Sequence, residues 1–150
     1  MKKLRVFKVR EGAKLPVRAH PTDAGMDLFF CPNDGKEQRV YPGGTFLFET
    51  GLKISVPQDH MLEIKNKSGV ATKRQMVVGA CVVDSGYDGE IYINLHNVGN
   101  FAQVVKPGEK IAQAVLVPIV TPEVEEIQED KVYDHTTERG SGGFGSTGLF

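Results

Sequence analysis

Cysteine is scarce in this sequence, and its two cysteines, Cys31 and Cys81, both lie in apolar segments. There is no Cys-x-x-Cys pair and no Cys/His cluster, so the sequence does not predict a structural zinc site and favours a reduced setting. Long apolar runs are also missing. The first ten residues mix charges with apolar residues, unlike a signal peptide, and no run approaches the length of a membrane span. We therefore expect an intracellular, cytoplasmic protein without a membrane partner.

An excess of either charge is lacking as well. The chain has 18 Lys and Arg against 19 Asp and Glu, which gives a formal net charge of −1. Because the cations are scattered, a general nucleic-acid surface is not expected, although an anionic small molecule needs only a few local charges. The 150 residues are enough for one domain with a core.

Long amphipathic helices are absent, and short alternating segments take their place. Gly and Pro turn signals separate these segments about every ten residues, a pattern typical of an antiparallel β-sandwich or barrel. Only residues 70–75 could form a helical turn, and that segment is too short for more. The predicted strands are 4–9, 26–30, 52–56, 61–67, 91–97, 101–105 and 111–120.

A turn at residues 84–90 follows an apolar run and precedes a strand with clean alternation. Two Gly-containing turn pairs within it predict a β-hairpin over 77–97, with the Asp84 carboxylate and the Tyr87 ring at its mouth. An ordinary hairpin with a capping Asp explains the same pattern. An ionised Asp can also polarise a water, so Asp84 is the best candidate for a catalytic base.

Three other positions carry polar groups with two interpretations. Residues 67–69 (Lys-Ser-Gly) can contact a phosphate or simply end a strand. Gln113 and Asp27 each interrupt an apolar run, where a buried group needs partners and a solvent-facing one does not. The four histidines are not spaced for a metal or a nucleophilic relay, and Ser/His/Asp hydrolysis has no support.

The composition changes after Pro122. An acidic stretch leads into the glycine-rich segment 139–148, which cannot supply a core. A disordered, linker-like tail is one interpretation. The other is a flexible backbone whose N–H groups, guanidinium and hydroxyls wrap phosphates, without being a P-loop.

Taken in order, five segments resemble the five motifs of the homotrimeric deoxyuridine triphosphatases (dUTPases), over nearly the whole chain. The third and fifth motifs are the specific ones. One departure is that Lys67 follows Asn66 where the family usually has Arg after Pro or Ala; lysine keeps the charge but loses the bidentate fork. The segments are AGMDL (24–28), KSG (67–69), GACVVDSGYDGE (79–90), PGEKIAQ (107–113) and RGSGGFGSTG (139–148).

The resemblance implies an all-β fold, a distorted jelly-roll β-barrel with a flexible glycine-rich C-terminal arm. Residues 1–122 would form the catalytic barrel, and residues 123–150 would form the arm that reaches a neighbouring subunit. The protein would be a homotrimer with three shared active sites. It would hydrolyse dUTP to dUMP and pyrophosphate, which limits uracil incorporation into DNA and supplies dUMP for thymidylate synthesis.

The resemblance also implies a role for each motif. Asp84 would activate the attacking water with Gln113, and Asp27 would brace the phosphate site. Mg²⁺ would be held by the substrate phosphates and water, with no direct protein ligand. The implied substrate contacts are the backbone of Gly79 and Val83 for uracil, the Tyr87 ring for deoxyribose, Lys67, Ser68 and Gly69 for the α/β phosphates, Arg139, Ser146 and Thr147 for the γ-phosphate, and Phe144 over the uracil. Gly145 of the same motif is also expected to bind substrate.

Two alternatives stay open. A dCTP deaminase of the same fold would have Trp near Tyr87 and a catalytic Glu about where Asn94 stands, so the sequence disfavours it. A nucleotide-responsive regulatory binding protein would keep the same site while acting on a partner.

Overall fold

A computed structural model describes residues 3–143 and 146 of the chain. Contacts between residues divide the chain into two units, Met1–Val120 and Thr121–Phe150. In its described part, the first unit contains eleven strands and one α-helix. The second unit has a short 3-10 helix at Glu129–Lys131. Among the helices of the described residues, none is both long and apolar enough to cross a bilayer.

The strands are short, and all their pairings are antiparallel. The all-β prediction is therefore confirmed. The elements are β1 (Arg5–Lys8), β2 (Met26–Phe29), β3 (Gln38–Val40), β4 (Thr45–Glu49), β5 (Leu52–Ser55), β6 (His60–Lys65), α1 (Ser68–Arg74), β7 (Met76–Val78), β8 (Val82–Val83), β9 (Tyr92–Asn97), β10 (Gln103–Val105) and β11 (Lys110–Pro118). The sheets have the strand orders β2–β11–β6–β8, β4–β9–β7, β1–β5 and β10–β3.

Alternating apolar residues place the core of the first unit. On β9, Ile93 and Leu95 are buried and Tyr92 is exposed, as the alternation of apolar and polar residues along this strand predicts. On β6, Leu62 and Ile64 are buried in the same way. Burying each such side chain contributes about 1.5–3 kcal/mol. The edge-on rings of Phe30 and Phe48, with centroids 5.0 Å apart, fill the core further.

The hairpin predicted over 77–97 is confirmed for the pairing of its outer parts, but the prediction is wrong for the residues next to the Asp84 turn. Strand β7 pairs with β9, with Val77 opposite His96. Between them, however, β8 leaves to pair with β6, where Val83 faces Leu62. The two strands that flank Asp84 therefore belong to different sheets. Local turn signals do not determine which sheet a two-residue strand joins.

The helix is also longer than predicted. A single turn over 70–75 is expected from the sequence, but α1 has seven residues. The Thr72 hydroxyl donates to the Ser68 carbonyl at 2.7 Å, and Gln75 ends the helix in the left-handed region at φ 53°. Because α1 buries only Val70, its sequence lacks the apolar stripe that announces a helix.

Strands β3 and β4 are not predicted by the sequence. Strand β3 has only three residues, and β4 keeps Leu47 on its solvent face with 52% of the residue exposed. Its pattern therefore does not alternate between apolar and polar residues.

Candidate active site

Asp84 begins an exposed connection between two sheets. We call residues 84–90, which join β8 to β9, the Asp84 loop. The Asp84 carbonyl accepts a hydrogen bond from Tyr87 N–H at 3.3 Å, and Gly86 takes the left-handed conformation at φ 90°, which glycine adopts without strain. No hydrogen bond from the described residues reaches the Asp84 carboxylate. It is therefore free to bind a water molecule.

The Tyr87 ring is folded back on the end of the same loop. Its hydroxyl donates to the Glu90 carbonyl at 3.0 Å. A Cβ at Gly89 would lie 2.1 Å from that hydroxyl oxygen, so only glycine leaves room for the ring. With 49% of the residue exposed, the ring presents a flat surface to a ligand.

The segment before β8 brings backbone to the surface at Gly79. The Gly79 N–H donates to the Asn94 carbonyl at 3.0 Å, and a Cβ at Gly79 would lie 2.1 Å from Asn94 Oδ1 and 2.3 Å from His96 Nε2. The position therefore requires glycine. Val83, in β8, is half-buried. Because Gly79 is exposed, this segment can present backbone groups to a flat ligand on the face turned away from Asn94 and His96.

A second group of predicted residues surrounds a buried carboxylate. We call Asp27, Lys67, Lys110 and Gln113 the Asp27 cluster. Lys67 Nζ donates to Asp27 Oδ1 at 2.8 Å, and Lys110 Nζ lies 2.7 Å from Asp27 Oδ2. Burial opposes ionisation of Asp27, but hydrogen bonds and charge from Lys110 and Lys67 outweigh it and hold its pKa below the ordinary value. One negative charge shared by two cations leaves a net positive site.

Gln113 is fixed beside that carboxylate. It stands opposite Asp27 on β2 and opposite Lys65 on β6. Its Nε2 donates to the Asn66 carbonyl at 2.9 Å. The Gln113 amide also packs closely against Gly25, because a Cβ at that glycine would lie 1.9 Å from Gln113 Oε1. Gln113 is half-buried rather than fully exposed, so its amide has a defined place. Ser68 and Gly69 are exposed at the start of α1.

The Asp84 loop and the Asp27 cluster do not meet within one chain. Val83 is in register with Leu62 on β6 and, through it, with Leu116 on β11. Val83, Leu62 and Leu116 thus form a row across the three strands. Asp84 lies one residue from this row along the strand direction, and Gln113 lies three residues from it in the opposite direction. If the strands are taken as straight and the register is continued past β8, about 3.3 Å per residue and about 4.8 Å per strand spacing place their Cα atoms roughly 16 Å apart. No hydrogen bond of the described residues joins the two groups.

The second unit carries the other predicted contacts. Arg139 Nε donates to the Gly142 carbonyl at 2.9 Å, and Ser146 N–H donates to the Gly143 carbonyl at 3.0 Å. Both residues are exposed. Phe144, Gly145 and Thr147, for which a role is also predicted, lie outside the described residues.

A cavity of about 560 Å³ opens beside the Asp84 loop. Tyr87 and Gly86 line it together with residues of β1 and β5, including Arg5 and Lys53. Neither Asp84 nor any member of the Asp27 cluster lines this cavity. Residues 3–143 and 146 hold no group of three or more His, Cys, Asp or Glu side chains arranged to bind a metal ion.

Three residues in or beside the Asp27 cluster are not predicted by the sequence to take part in the site. Lys110 pairs with Asp27, Gly25 makes room for Gln113, and Asn66 accepts both from Gln113 and, through Oδ1, from Val78 N–H at 2.7 Å. Lys110 and Gly25 lie inside segments that the sequence singles out. The signal for Asn66 is weaker, since an Asn at a strand end is most often a turn residue.

Comparisons with known proteins agree on one family. A family model described as dUTPase matches residues 11–148. A deoxyuridine 5'-triphosphate nucleotidohydrolase of Gloeothece citriformis is 42% identical, covering 98% of this chain and 97% of the relative. A Staphylococcus bacteriophage 80alpha dUTPase with dUpNHpp has a TM-score of 0.89 and 28% identity over 99% of this chain and 100% of that one. It is described among phage dUTPases that control transfer of virulence genes. A dUTPase variant of phage phi11 of S. aureus, described with a structural Mg(II) ion, has a TM-score of 0.77 and 27% identity over 85% of this chain and 98% of that one.

Proposed function

Because the chain belongs to the dUTPase family, we propose how its residues divide the work of hydrolysing dUTP to dUMP and pyrophosphate. Relatives with this name match nearly the full chain, and structural neighbours of the same family share its jelly-roll fold. The predicted family, fold class and hydrolase activity are thereby confirmed.

The observation that carries the division of roles is the separation of Asp84 from Gln113. One water can bond to both side chains only if their polar atoms lie within about 6 Å of each other. A Cα separation of roughly 16 Å, with Gln113 held against Gly25 and Asn66, does not allow this within one chain. We infer that each site combines the Asp84 loop of one chain with the Asp27 cluster of another.

A closed trimer satisfies this requirement with three equivalent sites. In a cyclic assembly, each chain gives its Asp84 loop to one site and its Asp27 cluster to the next. The third chain supplies residues 123–150 as an arm over the bound nucleotide, with Arg139, Ser146 and Thr147 at the γ-phosphate and Phe144 and Gly145 at the uracil. The entropy cost of ordering a glycine-rich arm would then be part of the free energy of nucleotide binding.

The reaction centre is the α-phosphorus. Asp84 accepts a proton from a water whose oxygen attacks that phosphorus. The bond to the bridging oxygen breaks, and pyrophosphate leaves with the bonding electrons. Gln113 of a neighbouring chain holds the same water from the other side. The exposure of the Asp84 carboxylate supports its role, since the base must reach a substrate that arrives from solvent.

Selectivity rests on the opposite end of the nucleotide. Backbone groups between Gly79 and Val83 pair with the uracil, whose donor and acceptor pattern cytosine reverses, leaving buried groups unpaired. The Tyr87 ring packs against the deoxyribose where a 2′-OH would project. Lys67, Ser68 and Gly69 contact the α/β phosphates, and Asp27 fixes the Lys67 ammonium at 2.8 Å.

Mg²⁺ is proposed as the metal. It would neutralise phosphate charge during the reaction when bound. It would be carried by the substrate phosphates and water, without a direct protein ligand. A small hard cation that keeps several waters suits that arrangement.

Pyrophosphate release from dUTP, dCTP, dTTP and UTP tests the proposal, each with Mg²⁺ and then with EDTA. We expect fast release from dUTP alone, lost on chelation. Ammonia release from dCTP would instead identify a deaminase. Release from dUTP that persists in EDTA would refute the metal proposal alone.

Regulatory binding is a second candidate, favoured by one observation. The phage 80alpha neighbour is described as controlling transfer of virulence genes. A pull-down with and without dUpNHpp would show a nucleotide-dependent partner. Binding that is the same in both conditions would contradict a nucleotide-responsive role.

A further inference from the structure

The Asp84 loop is fastened to the first unit through the side chain of Glu90. Arg10 NH1 and NH2 donate to Glu90 Oε1 and Oε2 at 2.8 and 2.7 Å, and Gly51 N–H donates to Oε1 at 2.7 Å. Only 10% of the Glu90 side chain is exposed. A carboxylate so buried depends on these donors, and the two-pronged contact with a guanidinium also fixes its direction.

Arg10 is held from the other side as well. Its NH1 also donates to the Cys31 carbonyl at 2.7 Å, and its NH2 lies 3.9 Å from Glu49 Oε1. The hydrogen bond to Glu90 raises the pKa of Arg10, and burial opposes this. At Gly51, which has φ 68°, a Cβ would stand 3.1 Å from Arg10 NH1. The chain therefore leaves a fitted space for this guanidinium.

Glu90 connects this anchor to the ring that faces the sugar. Its backbone carbonyl accepts the Tyr87 hydroxyl at 3.0 Å, while its side chain is clamped by Arg10. The next residue is clamped too, since Ile91 N–H donates to the Leu52 carbonyl at 2.7 Å. The position of the Tyr87 ring thus depends on a backbone that Arg10 holds in place.

We propose that Arg10 and Glu90 form a positioning pair that holds the Tyr87 ring against the deoxyribose and so determines the discrimination between dUTP and UTP. The proposal rests on the role proposed above for Tyr87. A ring excludes a 2′-OH only if it cannot retreat. Without the contact between Arg10 and Glu90, the Asp84 loop can move away from the extra hydroxyl, and the site can then bind UTP. The water attack at the α-phosphorus uses other residues and changes less.

The test compares kcat/KM for dUTP with kcat/KM for UTP in Arg10→Gln, Arg10→Lys and Tyr87→Phe. We expect the dUTP:UTP ratio to fall about tenfold in Arg10→Gln, the size of effect that a loosened pocket produces. Arg10→Lys keeps the charge without the fork and should recover part of the ratio. Tyr87→Phe, which removes only the hydroxyl that bonds Glu90, should lower the ratio without loss of folding.

Arg74→Gln is the matched control. Arg74 also bonds one glutamate, Glu109 at 2.8 Å, and a backbone carbonyl, and its side chain is 24% exposed against 19% for Arg10. We expect it to lower the melting temperature and leave the ratio unchanged. An Arg10→Gln enzyme that is destabilised but keeps the wild-type ratio would overturn the proposal. A wild-type enzyme that does not hydrolyse dUTP would instead refute the proposed function.

Discussion

Gly25→Ala should remove Gln113 from its place without unfolding the protein. The added Cβ would lie 1.9 Å from Gln113 Oε1 and 2.7 Å from Cδ. Ordinary contact requires about 3.4 Å, so the amide must retreat by about 1.5 Å. Only a flexible side chain stands in the way, and it can swing out. That movement breaks the 2.9 Å hydrogen bond to the Asn66 carbonyl.

The two consequences differ in size. One lost hydrogen bond costs about 1 kcal/mol, and Gly→Ala at an ordinary φ returns about 0.4–1 kcal/mol through the unfolded state. A displacement of about 1 Å in a catalytic group costs about a hundredfold in rate. We therefore expect kcat for dUTP to fall about a hundredfold while the melting temperature moves by less than about 4 °C.

Steady-state pyrophosphate release and thermal unfolding measure the two effects. Gly12→Ala is the matched control, because its Cβ would meet only Cys31 Sγ at an ordinary 3.7 Å. Turnover of Gly25→Ala within about twofold of wild type would refute the reasoning, since Gln113 would then not need its place.

Three further changes test other parts of the site. Asp84→Asn should lower kcat by about 10²–10⁴-fold while calorimetry still detects dUTP binding; normal turnover would remove Asp84 from the mechanism. Asp27→Asn should cost about 1–2 kcal/mol of unfolding free energy at pH 7, because Lys67 and Lys110, whose side chains are 33% and 46% exposed and so partly screened by solvent, lose their carboxylate. Since the folded-state pKa of Asp27 is lowered, that stability is present above about pH 4 and is lost as the pH falls through the folded pKa. Urea unfolding should therefore show the gap between wild type and variant shrinking below about pH 4, and a gap that widens there would contradict the sign. Deletion of residues 139–150 should reduce turnover without dissociating the assembly, as judged from its sedimentation coefficient. Dissociation into single chains would show that the arm is structural.

Local patterns predict the strands whose residues alternate clearly, miss β3 and β4, and say little about which strands pair. The alternation on β9 places Ile93 and Leu95 in the core, as found, and the turn signals place Asp84 where β8 ends. The same signals assign β8 to a hairpin, whereas it pairs with β6. Pairing across a jelly roll depends on contacts between distant segments, which no local pattern contains.

The site shows the same limit. The order of motifs along the chain identifies Asp27 and Lys67, but not that Asp27 is buried between Lys67 and Lys110. An Asp between two apolar residues is equally compatible with a solvent face. The resemblance implies sites shared between chains, but the order of the motifs does not give the distance between Asp84 and Gln113 within one chain. That distance follows only from the strand register.

The most direct test of the shared site mixes two inactive chains. One carries Asp84→Asn, the other Lys67→Met with Gln113→Ala, and the two are co-expressed and purified together. If each site joins two chains, about one site in four of a random assembly has an intact Asp84 loop facing an intact Asp27 cluster. The mixture should then recover about a quarter of wild-type turnover. Activity no greater than that of the two variants measured separately would show that one chain forms the site alone.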